Sequence, residues 1–417
     1  MKKLLIAGVA LALITGCNMK NPLLVESTAP FGAPQFDKIE NEHYLPAFET
    51  AIAEAKAEID AIIANEEEPT FENTIEAMEY AGQTLSKVAS IFYAVMEAHT
   101  DETKQQIAEQ ISPMLTEYSM YVSLNNDLFQ RVKAVYEKKD ELGLEQDQMK
   151  ILENNYKEFV RGGANLSDED KALYSKWSEE LSLATLQFSK NVLAATNAYT
   201  LHVTDSADLA GLPEYVKTMA AETASEKGLE GWAFTLQYPS FSPFMKYSQN
   251  RELRKQLWIA NNSKAIGGEN DNTEIVKQIV DLRIKIANIL GYETYADYAL
   301  ENRMAKTTET VNEFVKNLLE PSMKYAKKDV ADVLAYAKKN GFTDSKLMPW
   351  DFTYWSERYQ EAEYSLNAEE LKPYFQLESC IDAVFGLANR LYGVNFKELD
   401  NVPVYHEDVK VYEVTDA

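Results

Sequence analysis

Cysteine and histidine are scarce in this sequence, and each shortage excludes chemistry. The two cysteines, Cys17 and Cys380, cannot form a disulfide framework, and neither has another Cys or His at metal-ligand spacing. The four histidines, His43, His99, His202 and His406, stand far apart in the chain. H-E-x-x-H, in which His at i and i+4 turn both imidazoles to one metal beside a Glu base, is absent. So are the G-x-S-x-G nucleophile turn, the phosphate-cradling G-x-x-x-x-G-K-[ST] loop and the dinucleotide-binding G-x-G-x-x-G. Positive charge is also short. Lys and Arg number 41 against 66 Asp and Glu, and the net charge of −25 repels phosphate backbones, which excludes nucleic acid as a partner. Gly (16) and Pro (13) are few, and strand-forming residues do not gather in blocks. Long stretches rich in Ala, Glu, Lys and Leu instead predict a mainly α chain with a few short strands.

Long apolar runs are lacking too, with one informative exception. Lys2 and Lys3 precede an apolar stretch from Leu4 to Ile14, too short to span a bilayer and fitted to a signal peptide over residues 1–16. It ends Ile14-Thr15-Gly16-Cys17, the pattern of a bacterial lipobox, so Cys17 is the expected lipidation site and the new N-terminus. Several acyl chains on one residue give the multiple anchors that stable membrane attachment needs. The expectation is a protein of the bacterial cell envelope, held to a membrane through Cys17. Pro22, Pro30, Gly32 and Pro34 then predict an extended tether over residues 17–34.

The remaining residues, 35–417, read as successive helices, and 46% hydrophobic residues suffice for a large core. Leu45, Phe48, Ile52, Ala55, Ile59 and Ile62 step by 3 and 4 along one helix, which Glu66-Glu67-Glu68-Pro69 ends. Thr70 opens a second, with Ile75, Met78 and Leu85 on one side, and a third begins near Asp101. Further helices are predicted over 126–139, 146–161 and 168–198. Around 200–240 the pattern changes. Residues 200–203 and 233–237 read as short strands around a helix from Pro213 to Lys227, marking a candidate subdomain boundary. Gly291 is placed to cap a helix carrying Ile279, Leu282 and Ile286. Thr307-Thr308 opens another, with Val311, Phe314 and Leu318 expected inward and Pro321 expected to kink or divide it. The alternating segment Val409–Val414 reads as a strand with no evident hairpin mate, which suggests a sheet cut by the end of the sequence.

Two clusters remain. Gly267-Gly268-Glu269-Asn270-Asp271-Asn272 lacks the ligand alternation and closing Glu of a calcium loop and reads as a plain loop. The aromatic group containing Trp350, Tyr354 and Trp355 suits core packing between helices or, alternatively, the wall of a peptide-binding cleft.

Ordered stretches across nearly the whole sequence carry a resemblance: Asn21-Pro22-Leu23-Leu24, Phe36-Asp37-Lys38-Ile39, Pro69-Thr70-Phe71-Glu72-Asn73, Arg251-Glu252-Leu253-Arg254, Leu290-Gly291-Tyr292, Trp350-Asp351, Lys372-Pro373-Tyr374-Phe375 and Pro403-Val404-Tyr405-His406. Together they resemble the peptidyl-dipeptidases (the Dcp type) of the thimet oligopeptidase family of zinc metallopeptidases. The resemblance implies the helical N-terminal lobe of a prolate, two-lobed peptidase. It also implies one zinc held by H-E-x-x-H and a later Glu, and oligopeptide substrates trimmed by C-terminal dipeptides. Family members continue beyond the position of Ala417 and carry the zinc motif there, so no catalytic or metal residue transfers onto this sequence. The expectation is zinc in the full-length protein, none bound by this segment, and no hydrolysis by the segment alone. A non-catalytic helical lipoprotein that binds peptides or partner proteins is the alternative.

Overall fold

The computed structural model describes residues 21–365 and 367–416. The signal-peptide stretch and Cys17 lie outside the described residues. Among the described residues are fifteen α-helices and four short strands, a mainly α architecture, and none of the helices is long and apolar enough to cross a membrane. The chain divides into two compact units. One comprises the residues up to Lys157 together with Val394 onward, and the other runs from Glu158 to Gly393. The 200–240 stretch lies inside the second.

In the first unit, α1 (Asn41–Ile63) packs against α3 (Gln83–Ala98) and α4 (Glu102–Ser123). Its apolar stripe faces inward: Phe48, Ile52, Ala55, Ile59 and Ile62 are buried. Phe92 of α3 meets the edges of Tyr44 at 4.9 Å and Phe48 at 5.7 Å. The helix expected from Thr70 is broken into a π-helical turn (Phe71–Glu76), α2 (Ala77–Tyr80) and α3. Thr70 and Asn73 cap the turn reciprocally, each side chain accepting the other's backbone N–H. The break falls at Gly82, whose φ of 76° no helix continues. Buried Arg131 of α5 (Asn126–Glu137) donates to the carbonyl of Asn65 at 2.7 Å and to Asn73 Oδ1 at 3.1 Å, fixing the connection between α1 and the π turn. Helix α6 (Gln146–Arg161) follows.

Residues 21–38 are not extended throughout. They carry two 3-10 turns, at Pro30–Gly32 and Phe36–Lys38, and Leu23 is buried. Asn21 Nδ2 donates to the carbonyl of His43, and Lys87 Nζ to that of Val25. Leu23 supplies the apolar anchor that a reading from prolines alone passes over.

The final strand has a mate, which corrects the expectation of an unpaired edge. Strand β3 (Asn395–Leu399) and β4 (Val411–Thr415) pair antiparallel, with Phe396 opposite Val414 and Glu398 opposite Tyr412. The mate escaped notice because Phe396 and Leu399 are three residues apart, so no period of two appears. The connection is also longer than a tight hairpin turn. Tyr405 and His406 of that connection meet Phe36 at 5.4 Å and His99 at 5.0 Å between ring centroids.

In the second unit, α7 (Asp168–Ala198) and α11 (Thr273–Ile289) form the most extensive helix pair. A buried amide chain joins them: Asn191 Nδ2 donates to Asn272 Oδ1 at 2.9 Å, and Asn272 Nδ2 to the carbonyl of Phe188 at 3.0 Å. Strands β1 (Leu201–Val203) and β2 (Trp232–Phe234) pair antiparallel beside α8 (Glu214–Glu226). Their core of Leu201, Val203, Val216, Phe234, Phe244 and Leu257 draws in α9 (Tyr238–Tyr247) and α10 (Arg251–Asn262). After α12 (Tyr295–Leu300) come α13 (Thr308–Lys339), α14 (Pro349–Tyr364) and α15 (Leu377–Tyr392). Two expectations for α13 are corrected. Pro321 does not divide it, since one missing N–H leaves only one carbonyl to be satisfied by water on an exposed helix. Phe314 (63% exposed) and Leu318 (54%) are not inward.

Candidate functional site

The aromatic stretch of α14 is organised by a carboxylate that the sequence leaves inconspicuous. Asp351 is fully buried in the first turn of α14. There its Oδ2 accepts the backbone N–H of Met348 at 3.1 Å, which turns the chain into the helix. Arg251 grips the same carboxylate with both oxygens, Nε to Oδ1 at 2.8 Å and Nη2 to Oδ2 at 2.7 Å. Arg254, one helical turn on and 2% exposed, reaches Oδ1 at 3.3 Å. It also donates to the carbonyls of Trp350 (3.0 Å) and Ser248 (2.8 Å). Arg251 additionally pairs with Asp344 at 2.8 Å.

The two arginines respond oppositely to one partner. The hydrogen bonds that Arg251 donates to Asp351 raise its pKa above the usual guanidinium range, whereas burial lowers that of Arg254 despite Asp351. Arg251 keeps contact with solvent, while Arg254 gives up nearly all of its hydration, so desolvation outweighs pairing only there.

Trp350, Tyr354 and Trp355 are set by this network, and all three are half-buried. Arg254 and Arg358 both lie over the Tyr354 ring, at 4.1 and 3.5 Å from its centre. Arg358 is tied to α9 through the carbonyls of Lys246 (3.1 Å) and Tyr247 (3.4 Å). Trp350 meets the edge of Trp258 at 5.8 Å, and Trp355 is surrounded by Tyr336, Phe342 and Tyr354. The three candidates therefore come together as one aromatic and guanidinium layer where α14 faces α9, α10 and α13. Arg251, Arg254 and Asp351 are the members that reading the sequence did not single out for a role. Their signal was the i, i+3 arginine pair together with an Asp three residues after Met348.

Beside this layer, Tyr215, Met219, Tyr238, Pro239, Pro243 and Tyr247 line a pocket of about 350 Å3. Glu369 closes one side, accepting from the Tyr247 hydroxyl at 3.0 Å and pairing with Lys372 at 2.7 Å. Burial and the neighbouring Glu369 raise the Tyr247 pKa, so this phenol stays protonated and donating.

Among the described residues the histidines do not assemble into a zinc centre. His43 Nδ1 accepts the Glu40 N–H at 2.9 Å, and His202 Nε2 lies 2.6 Å from the carbonyl of Glu230. His99 and His406 do converge. Among the described residues, however, no group of three His, Cys, Asp or Glu is arranged to hold a metal.

Residues 244–417 match the family described as Peptidase family M3. Dipeptidyl carboxypeptidase of Escherichia coli (strain K12) is 37% identical over 401 residues, which cover 95% of this chain and 58% of that protein. Oligopeptidase A of the same organism is 32% identical over 403 residues, covering 95% and 58%. Saccharolysin of Saccharomyces cerevisiae is 25% identical over 358 residues, covering 82% and 49%. The chain thus spans less than three fifths of the length of these relatives.

Proposed function

We infer, starting from a chain whose residues 244–417 match peptidase family M3, that the whole protein is a zinc metallopeptidase of that family acting on oligopeptides. In this reading the described residues supply scaffold and part of the substrate cleft. The observation that carries it is 37% identity with a dipeptidyl carboxypeptidase sustained over 95% of this chain. That relative's name supports release of dipeptides from peptide C-termini. Oligopeptidase A is nearly as similar, and cleavage within the peptide stands as the second mode to be tested. In this reading the zinc ligands lie outside the described residues: His43 and His202 are engaged with nearby backbone, and His99 and His406 meet without a third ligand beside them. Trp350, Tyr354 and Trp355 are the proposed wall, half-buried, with the Tyr354 ring covered by Arg254 and Arg358. Rigid aromatics offer a peptide contact area at low entropic cost.

The test is to produce the protein from its complete reading frame, measure zinc content, and follow a defined oligopeptide by mass spectrometry. Stoichiometric zinc with chelator-sensitive dipeptide release supports the reading, and internal fragments select the oligopeptidase mode. No zinc and no hydrolysis favour a helical peptide-binding lipoprotein. The 417-residue segment is expected to be inactive in the same assay.

Attachment to a bacterial envelope membrane through Cys17 is part of this proposal and rests on the apolar stretch and Ile14-Thr15-Gly16-Cys17. Cys17→Ser is expected to move the protein from the membrane pellet to the soluble fraction and to abolish labelling by a radioactive fatty acid. Unchanged fractionation would remove the anchor from the proposal.

A further inference from the structure

Helices α8 and α9 each keep one face out of the core that joins them. On α8, Val216 and Ala220 are buried, while Tyr215 and Met219 form an i, i+4 pair on the pocket side. On α9, Phe244 enters the same core, while Tyr238, Ser242 and Lys246 follow at i, i+4 and i+8 beside Pro239 and Pro243. These outward faces line the pocket of about 350 Å3, and the turn Ala368–Tyr374 closes it with Glu369 and Lys372. Because the inner faces of both helices are locked in one core, the walls stand without a ligand. Tyr238 is 78% exposed and Tyr215 42%, so their ring faces are free for contact.

Both signs of charge meet at this apolar floor. Lys246 pairs with Glu357 at 3.2 Å. Lys372 pairs with Glu369 at 2.7 Å and lies 3.7 Å from the centre of the Tyr215 ring. An ammonium carries three donors and a carboxylate about four acceptor positions. Lys246 and Lys372 therefore each keep a donor, and Glu369, which accepts from Tyr247 and Lys372, keeps acceptor positions, with every internal pair intact.

We propose that this pocket binds a short zwitterionic peptide of two residues. Its ammonium lies on Glu369, its terminal carboxylate on Lys246 and Lys372, and an apolar side chain against Met219, Pro239 and Pro243. Charge and size select that ligand together. An anionic ligand would meet Glu369, and a cationic one would meet both lysines, whereas a molecule with one charge of each sign satisfies all three. The cavity of about 350 Å3 exceeds what one free amino acid fills and suits two residues. The proposal goes beyond the peptidase reading and does not depend on it.

The test is made on the product of the complete reading frame, by calorimetric titration with alanyl-leucine, its N-acetyl form and its C-terminal amide. Alanyl-leucine should bind saturably, and either blocking group should weaken it at least ~tenfold, since each removes a charge-assisted contact. Glu369→Gln should weaken alanyl-leucine severalfold and leave the N-acetyl form no weaker. Lys246→Gln should do the same for the amide form, whereas a merely structural loss would weaken all forms alike. Alanyl-photoleucine, whose diazirine cross-links on illumination, locates the ligand on the unsubstituted protein, so the result stands even where a variant does not fold. Label is expected within residues 215–219 or 238–247. Absence of saturable binding, equal binding of the blocked forms, or label confined to other residues would each overturn the proposal. Oligopeptide hydrolysis by the same samples separates the two claims. Hydrolysis without label in the pocket sinks the pocket alone, and label there in an inactive protein sinks the peptidase reading alone.

Discussion

At the residue scale, the largest single lever is Asp351. Removing it leaves Arg254 charged, 2% exposed and without its carboxylate, so Asp351→Ala should destabilise the chain by about 3–5 kcal/mol in chemical denaturation. Asp351→Leu combined with Arg254→Met should restore a substantial part of that loss, because no charge is then left buried. A double variant no more stable than Asp351→Ala would contradict this account. Asp101 governs a different response. Partial burial pushes its carboxyl upward, but hydrogen bonds from the side chain and backbone of Lys104 and from Asn41 outweigh burial and hold the pKa at about 2. Its folded pKa therefore lies below its unfolded value. The stability it contributes is present above the ordinary carboxylate pKa and is lost as pH falls from near 4 toward 2. Asp101→Asn should flatten the acid limb of a stability–pH profile in that window. As the N-cap of α4, Asp101→Ala should cost about 1 kcal/mol at neutral pH.

At the scale of elements, three glycines with similar backbone angles separate conformational strain from crowding. Gly211 (φ 86°), Gly231 (φ 88°) and Gly291 (φ 88°) all occupy the left-handed region. A Cβ on Gly211 would stand 2.4 Å from the carbonyl oxygen of Tyr247, and one on Gly231 would stand 2.5 Å from that of Val203, whereas nothing lies within 4 Å at Gly291. Gly291→Ala should thus cost about 1–2 kcal/mol from conformation alone. Gly211→Ala and Gly231→Ala should cost about 1–3 kcal/mol more, because backbone must move. Thermal melts of the three variants check the order. The positions of α1, α5, α6, α7 and α8 were legible in the sequence because apolar spacing and caps agree locally. What was not legible depended on distant partners. β3 pairs with β4 across a long connection without alternating itself, and the strip on Phe314 and Leu318 has the spacing of a buried face but no cover among the described residues. The candidate site was half legible. The aromatics Trp350, Tyr354 and Trp355 stood out by composition, while the buried Asp351 that fixes them looks like any helix-opening aspartate until Arg251 and Arg254 are brought to it.

At the scale of the whole molecule, the proposed peptidase reading assigns substrate contact to the α14 layer. On the proposed reading of Trp355 as cleft wall, Trp355→Ala in the complete protein should raise KM for oligopeptides severalfold while kcat changes little, since such a wall would contribute uniform binding. An equal loss of kcat would assign Trp355 a different role. The discontinuous first unit has a consequence of its own for biosynthesis. Its beginning, up to Lys157, waits for residues 394–416, whose Tyr405 and His406 meet Phe36 and His99. The intervening unit is continuous and can collapse as soon as it is synthesised, whereas the earlier one closes only after residues 394–416 follow, over a long loop with its entropic cost. In the export proposed above, the chain would present its first-emerging segment unfinished until residues 394–416 follow, exposed to proteases and chaperones meanwhile.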